Sequence, residues 1–216
     1  ALQEGLDSGA HIVVIGAGSS AGSRDYTRRV LERFGTVVVH GIKAMPGKPT
    51  LLAVSGNRLL VGAPGYPVSA VICFEQLLRP LVEWITRYRS DRGPVVDVRL
   101  TRKVPSKLGQ EEFLRLSIGQ VGEELVGTPL PRGAGLITSL TRAQGMARIP
   151  AESEGRQAGE MLRTELLVPR EELERVLVCV GSHDNTIDLL ANELMGLESP
   201  LTLTSANVGS MGGLQA

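Results

Sequence analysis

Two charged side chains in this chain stand in stiff backbone settings of the kind that hold small ligands. Lys48 sits inside the corner Pro46-Gly47-Lys48-Pro49, and Asp25 follows the glycine-rich segment Gly16-Ala17-Gly18-Ser19-Ser20-Ala21-Gly22. A second corner, Pro64-Gly65-Tyr66-Pro67, opens directly onto the helix-like run Val68-Ser69-Ala70. Proline holds φ at about −65° and glycine permits positive φ, so such corners are rigid turns that carry backbone close to a partner. One corner alone reads as a tight turn in a glycine-rich protein. Two corners flanking a hairpin, one holding a lysine and the other feeding a helix, point to a small-molecule site.

The elements that must position these residues follow from periodicity. His11 to Ile15 is a short β-branched run, which predicts a strand buried on both faces of a parallel sheet. The glycine segment comes next, and the spacing from Asp25 to Phe34 predicts a helix that ends at Gly35. A strand, a glycine loop and a helix in succession expose backbone N–H groups at the helix N-terminus, where the macrodipole favours an anion. The glycine spacing is neither G-x-G-x-x-G nor a Walker A loop, so neither a dinucleotide nor a P-loop site is implied. On its own the segment reads equally as an anion cradle or a plain βα turn, with Asp25 as a dipole partner in the first helical turn.

Thr36 to His40 is the next predicted strand. Thr50 to Val54 and Leu59 to Val61 pair across Ser55-Gly56-Asn57, and Val68 to Ile85 forms a helix, apolar nearly all round, broken or kinked at Pro80. The result is an α/β layer whose strand ends carry the glycine segment and both corners, so that one crevice is lined by all three.

After Ser90-Asp91-Arg92-Gly93-Pro94 the texture changes. Val95–Leu100, Glu112–Ile118, Glu124–Thr128 and Met161–Val168 are short strand-like runs that predict a small antiparallel barrel or sandwich. Its charged residues, Arg115 included, are expected on solvated faces. A third texture begins near Pro169: a buried-type strand Val176–Val180, the turn Gly181-Ser182-His183-Asp184, and a helix with Ile187, Leu190, Ala191 and Leu194 on one face. Ser182 or Asp184 is its natural N-cap. A strand from Leu201 to Thr204 then runs toward Gly209-Ser210-Met211-Gly212-Gly213. Ser182, His183 and Ser210 have the donors for an oxyanion, although a lone histidine in such a turn is also a common capping residue.

The bulk properties narrow the function classes. The 216 residues carry 23 basic and 23 acidic side chains, with no Lys/Arg run to track a phosphate backbone, so a nucleic-acid partner is not expected. Cys73 and Cys179 lie in apolar runs without metal-ligand spacing and are expected to be buried free thiols of a reducing compartment. No run reaches the roughly 18 apolar residues of a membrane span, and the N-terminus lacks a signal-peptide layout; a cytoplasmic protein without a membrane partner is expected. The first residue is Ala1 and the last run is a glycine-rich loop, which suggests a piece of a longer polypeptide.

Taken in order, GAGSSAGSRDY (Gly16 to Tyr26), PGKP (Pro46 to Pro49) and GAPGYPVSA (Gly62 to Ala70) resemble the molybdopterin molybdenumtransferase family, the MoeA and gephyrin E-domain group. The resemblance runs from about Leu2 to Val168, with a looser match around Glu112-Phe113-Leu114-Arg115. It implies a fold in three parts: half of a three-layer α/β molybdopterin-binding domain (1–92), a small all-β barrel-like domain (93–170), and the start of an α/β domain like periplasmic binding proteins (171–216).

The activity it implies is insertion of molybdate into adenylylated molybdopterin with release of AMP, assisted by magnesium, in a homodimer. Residue by residue, it implies that Gly16, Gly18, Ser20 and Gly22 hold the pterin or phosphate end and that Asp25 is the acidic residue after that loop, a magnesium ligand. Lys48 counters phosphate or molybdate charge. Pro46, Gly47, Pro64, Gly65, Pro67 and Ser69 shape the wall and offer a hydroxyl. Those groups suit the task, because oxyanions need a cation and N–H donors, and magnesium needs a carboxylate. The chain departs from the family pattern at Ala17 in place of a glycine, Met45 in place of a lysine and Tyr66 in place of an asparagine. The departures favour an alternative, a catalytically degenerate pterin- or oxyanion-binding regulatory module that senses molybdate or tungstate.

Overall fold

Alternating β-branched runs and amphipathic segments up to Ser90 build a sheet with helices on both faces. The computed structural model describes residues 2–16, 26–181, 184–198 and 201–207. Along the chain run α1 (Leu2–Asp7), β1 (Ile12–Gly16), α2 (Tyr26–Phe34), β2 (Thr36–His40), β3 (Ala44–Met45), β4 (Leu51–Ser55), β5 (Arg58–Ala63) and α3 (Pro67–Cys73). A π-helical turn, Phe74–Leu78, links α3 to α4 (Arg79–Thr86).

The sheet order is β1-β5-β4-β2, with β1 parallel to β5 and the other pairs antiparallel. Residues of β5 alternate between two cores, as the two-residue strand period requires. Leu60 packs with Leu6 of α1, Leu31 of α2, Leu51 and Ala53, whereas Val61 packs with Cys73 and Leu78. Because both faces are covered, β5 reads as a continuous apolar run rather than an alternating one.

Two expectations change here. β1 is an edge strand of the described sheet, and its Val14 is 49% exposed, so it is not buried on both faces. The predicted kink at Pro80 is a wide turn placed just before it: Arg79 N donates to Phe74 O, five residues back. Proline has no N–H for the ordinary i→i−4 bond, and the wider ring accommodates that loss. None of the residues of α4 is buried, and Trp84 and Ile85 face outward.

The rest of the chain forms β6 (Val95–Leu100), β7 (Val104–Pro105), β8 (Glu111–Val121), β9 (Glu124–Pro129), α5 (Thr138–Thr141), β10 (Gly145–Ile149), β11 (Gly155–Arg156) and β12 (Met161–Leu166). A 3₁₀ turn, Arg170–Arg175, leads to β13 (Val176–Gly181), α6 (Asn185–Met195) and β14 (Thr202–Asn207). The ring β6-β9-β8-β10-β12 closes on itself into a small barrel. One of its pairings, β6 with β9, is parallel, so the barrel is not wholly antiparallel. β10 was not among the predicted strands: its run Gly-Met-Ala-Arg-Ile is short and weakly β-branched, and sheet closure defines it.

The chain divides into two compact units: Ala1–Ser90 with Gly133–Ile137, and Asp91–Arg132 with Thr138–Ala216. In the second unit the tail packs on the barrel. Leu173 joins the barrel core, and a Cβ on Gly119 of β8 would lie 2.4 Å from Val178 of β13. β13 and β14 are parallel neighbours connected through α6. β13 is only partly buried, since Leu177 and Val180 are exposed, and Cys179 is half-buried rather than buried. Leu190, expected on the inner face of α6, is likewise exposed. Among the described residues no helix is long and apolar enough to cross a membrane.

Candidate functional site

Strand register brings Gly16 and both proline corners to one edge of the first sheet. β1 is parallel to β5 with Gly16 opposite Ala63, so the carboxyl end of β1 lies beside the Pro64-Gly65-Tyr66-Pro67 corner. β4 is antiparallel to β5 with Leu51 opposite Gly62, so the Pro46-Gly47-Lys48-Pro49 corner, which precedes β4, reaches the same edge. Ligands of α/β sheets bind outside the carboxyl ends of parallel strands, and this edge is the carboxyl end of both β1 and β5. Gly62 keeps the approach tight: a Cβ there would lie 3.0 Å from both Leu51 Cβ and Thr27 Cγ2 of α2.

The lysine corner is held by its own backbone. The Met45–Pro46 peptide is cis, and Gly47 has φ +124 with no steric obstacle to the positive value. Gly47 O accepts from Thr50 Oγ1 at 2.8 Å, Lys48 O accepts from Ile42 N at 2.9 Å, and Gly41 N donates to Thr50 O at 2.8 Å. Pro46 and Gly47 are buried and Pro49 half-buried, while Lys48 is exposed. Among the described residues its ammonium makes no ion pair, so its charge is available to a ligand. The corner lies against α3: a Cβ on Gly47 would be 3.5 Å from Ile72 Cγ2. Burial pushes the neighbouring Cys73 thiol up in pKa, and a hydrogen bond with Thr50 opposes that shift.

At the second corner Pro64 is buried and Gly65, Tyr66 and Pro67 are exposed. Pro67 starts α3, and Tyr66 supplies no side-chain cap. Instead Val68 N donates to Ala134 O at 3.2 Å, and Ser69 in the first turn is 3% exposed. Gly18, Ser20, Gly22 and Asp25 lie outside the described residues, as do Ser182, His183 and Ser210 in the tail. Of the proposed tail caps, Asp184 caps α6, accepting from Thr186 N at 2.9 Å and Ile187 N at 3.3 Å.

Arg115 contradicts the expectation of a solvated face. It is 1% exposed, with Nη1 donating to Phe113 O at 3.3 Å, Nη2 donating to Pro131 O at 3.0 Å, and Nε without a partner among the described residues. Burial lowers the pKa of its guanidinium; nearby Glu112 opposes the shift and Arg132 adds to it. Glu112 is itself buried and paired with Arg132 at 3.0 Å. A buried cation with an unsatisfied donor is costly, and such groups concentrate where a protein handles ligands. Phe113, Leu114, Leu116 and Ile118 place apolar residues on both faces of β8, the pattern of a strand covered on both sides, but only sheet closure shows that Arg115 shares that cover.

Magnesium is the resident metal that the resemblance implies. Such a hard cation takes about six oxygen ligands. Asp25 supplies one carboxylate, and among the described residues no group of three or more His, Cys, Asp or Glu is placed to hold a metal. The described residues do not make a magnesium site.

The fold and this edge define an α/β ligand-binding domain followed in sequence by a small β-barrel domain. Residues 1–84 match the family model of the probable molybdopterin binding domain, and residues 97–167 match that of the MoeA C-terminal region, domain IV. A putative molybdopterin biosynthesis protein of Methanocaldococcus jannaschii is 30% identical over 167 residues, covering 77% of this chain and 39% of the relative. The molybdopterin molybdenumtransferase of Haemophilus influenzae is 29% identical over 161 residues, 73% of this chain and 40% of its own length. The crystal structure of a molybdopterin biosynthesis MoeA protein from Pyrococcus horikosii superposes with a TM-score of 0.61 at 32% identity, covering 78% of this chain and 40% of that one. The chain belongs to the MoeA-type molybdopterin molybdenumtransferase family. It spans about two fifths of the length of these curated relatives.

Proposed function

We propose that this chain works as part of a molybdopterin molybdenumtransferase, inserting molybdate into adenylylated molybdopterin with release of AMP. The observation that supports the reading is the register of β1, β5 and β4, which puts Gly16, where the glycine segment begins, and both proline corners at one sheet edge with the Lys48 ammonium free among the described residues. Family membership supports it. In this reading the ammonium of Lys48 neutralises the oxyanion, the stiff corners hold backbone donors without reorganisation, and the Asp25 carboxylate accepts from N–H groups of the uncharged pterin part of the substrate. The supplied chemistry is electrostatic positioning, which is most of what transfer between anions requires.

Further parts of the reading extend to assembly and setting: a homodimer, a cytoplasmic location, and a tail from about residue 171 that begins a domain like periplasmic binding proteins. The parallel β13-α6-β14 unit supports the last of these. The test is AMP release from adenylylated molybdopterin with molybdate present. Wild type is expected to turn over, and Lys48→Ala to lose about 10- to 100-fold in kcat/KM, the worth of one charge-assisted contact of about 1.5–3 kcal/mol. Lys48→Ala turning over as well as wild type would remove the proposed role of this edge.

A further inference from the structure

A cavity in the second unit is lined by one sign of charge. It has a volume of about 400 Å³ and lies where the tail strand β14 passes the barrel. Among the described residues Arg102 and Arg142 are its only ionisable lining groups, and no described carboxylate lines it. Ser117, Thr128, Thr204 and Ser205 add hydroxyls, and the first three of these residues are buried. Pro129, Leu130 and Leu203 complete an apolar wall.

The donors are set rather than incidental. Arg102 Nη2 donates to Pro129 O, which fixes one guanidinium beside the cavity with its remaining N–H groups unspent among the described residues. Arg142 has no ion pair or side-chain hydrogen bond among the described residues. Thr128 Oγ1 accepts from Thr101 Oγ1 at 3.3 Å, which leaves the Thr128 proton free to donate. Two guanidiniums on one cavity wall, without a counter-charge, repel each other; a dianion between them removes the repulsion and accepts from both. Guanidinium suits a phosphate best, since its fork matches two oxygens at once. The volume falls within the range of about 300–1,000 Å³ for small-molecule sites and exceeds what one inorganic ion fills, and the apolar wall suits an organic remainder.

We propose that Arg102, Arg142 and the surrounding hydroxyls form a binding site for a phosphate-bearing small molecule, its phosphate on the two guanidiniums and its organic part against Pro129, Leu130 and Leu203. Since β14 supplies Thr204 and Ser205, an occupant ties the tail strand to the barrel. The site is independent of the sheet-edge reading, because it shares no residue with it.

Titration calorimetry on the intact chain with inorganic phosphate and with phenyl phosphate tests the proposal, together with hydrogen exchange across residues 202–205. Binding of phenyl phosphate is expected to be tighter than that of inorganic phosphate and to slow exchange in β14. Arg142→Ala is expected to weaken it about tenfold or more, with Arg142→Lys intermediate and Arg163→Ala, exposed on β12 and outside the cavity lining, without effect. Arg102→Ala gives the second arm, and because Arg102 also holds a backbone carbonyl, Arg142 decides the matter should that variant misfold. The proposal is overturned by absence of heat at millimolar phenyl phosphate, by equal affinity in wild type and Arg142→Ala, or by an equal loss of binding in Arg163→Ala.

Discussion

Replacing Arg115 by methionine separates a side chain kept for its charge from one kept as a strut. The guanidinium is 1% exposed. Its bond to Pro131 O at 3.0 Å is well formed, and that to Phe113 O at 3.3 Å is weak. With about 1.5–3 kcal/mol for a good charge-assisted bond and less for the poor one, the gain is about 2–4 kcal/mol. Against it stand several kcal/mol for taking the ion out of water and about 1–3 kcal/mol for the unsatisfied Nε. The two sides cancel or leave the arginine unfavourable. Methionine fills the stem's volume without a charge, Pro131 is exposed so that water can serve its carbonyl, and Glu112 keeps Arg132. Arg115→Met is therefore expected to leave stability unchanged or raise it by about 1–2 kcal/mol, measured by urea unfolding with an unchanged m-value. A loss of more than about 3 kcal/mol would refute the reasoning, because it would make the two carbonyl bonds worth more than the desolvation.

Two smaller perturbations probe the lysine corner. Gly47→Ala is expected to destabilise by about 1–2 kcal/mol through its φ of +124 alone, since the added Cβ would meet Ile72 at an ordinary 3.5 Å; thermal unfolding reports it, and an unchanged Tm would count against a rigid corner. Burial raises the Cys73 pKa, so the folded state binds the thiol proton more tightly than the unfolded one. Stability from this source is full below about pH 8.5, where a free thiol begins to ionise, and falls as pH rises further. Denaturation midpoints measured from pH 8 to 10 are expected to fall less in Cys73→Ala than in wild type, and parallel profiles would exclude the thiol as the cause.

Local chemistry accounts for what was legible in the chain. Gly56-Asn57 closes the β4–β5 hairpin with Ser55 opposite Arg58, because glycine takes the positive φ that a two-residue turn needs. Pro80 marked a helix irregularity, although the chain answers with a π turn ahead of it. The proline corners were visible as stiff turns at strand ends, and register then brought both to one edge beside Gly16. Arg115 was misread because a charged residue in an isolated strand has no visible partner on either side, and β10 was missed because its strand character comes from β8 and β12.

Proline, glycine and apolar periodicity act over a few residues, so the amino-acid order alone determined the turns, most of the strands and the family they spell. Sheet closure and strand register join residues far apart in the chain, and only they decided that Arg115 is buried, that the barrel has a parallel seam, and that Arg102 and Arg142 share a wall with residues of β14.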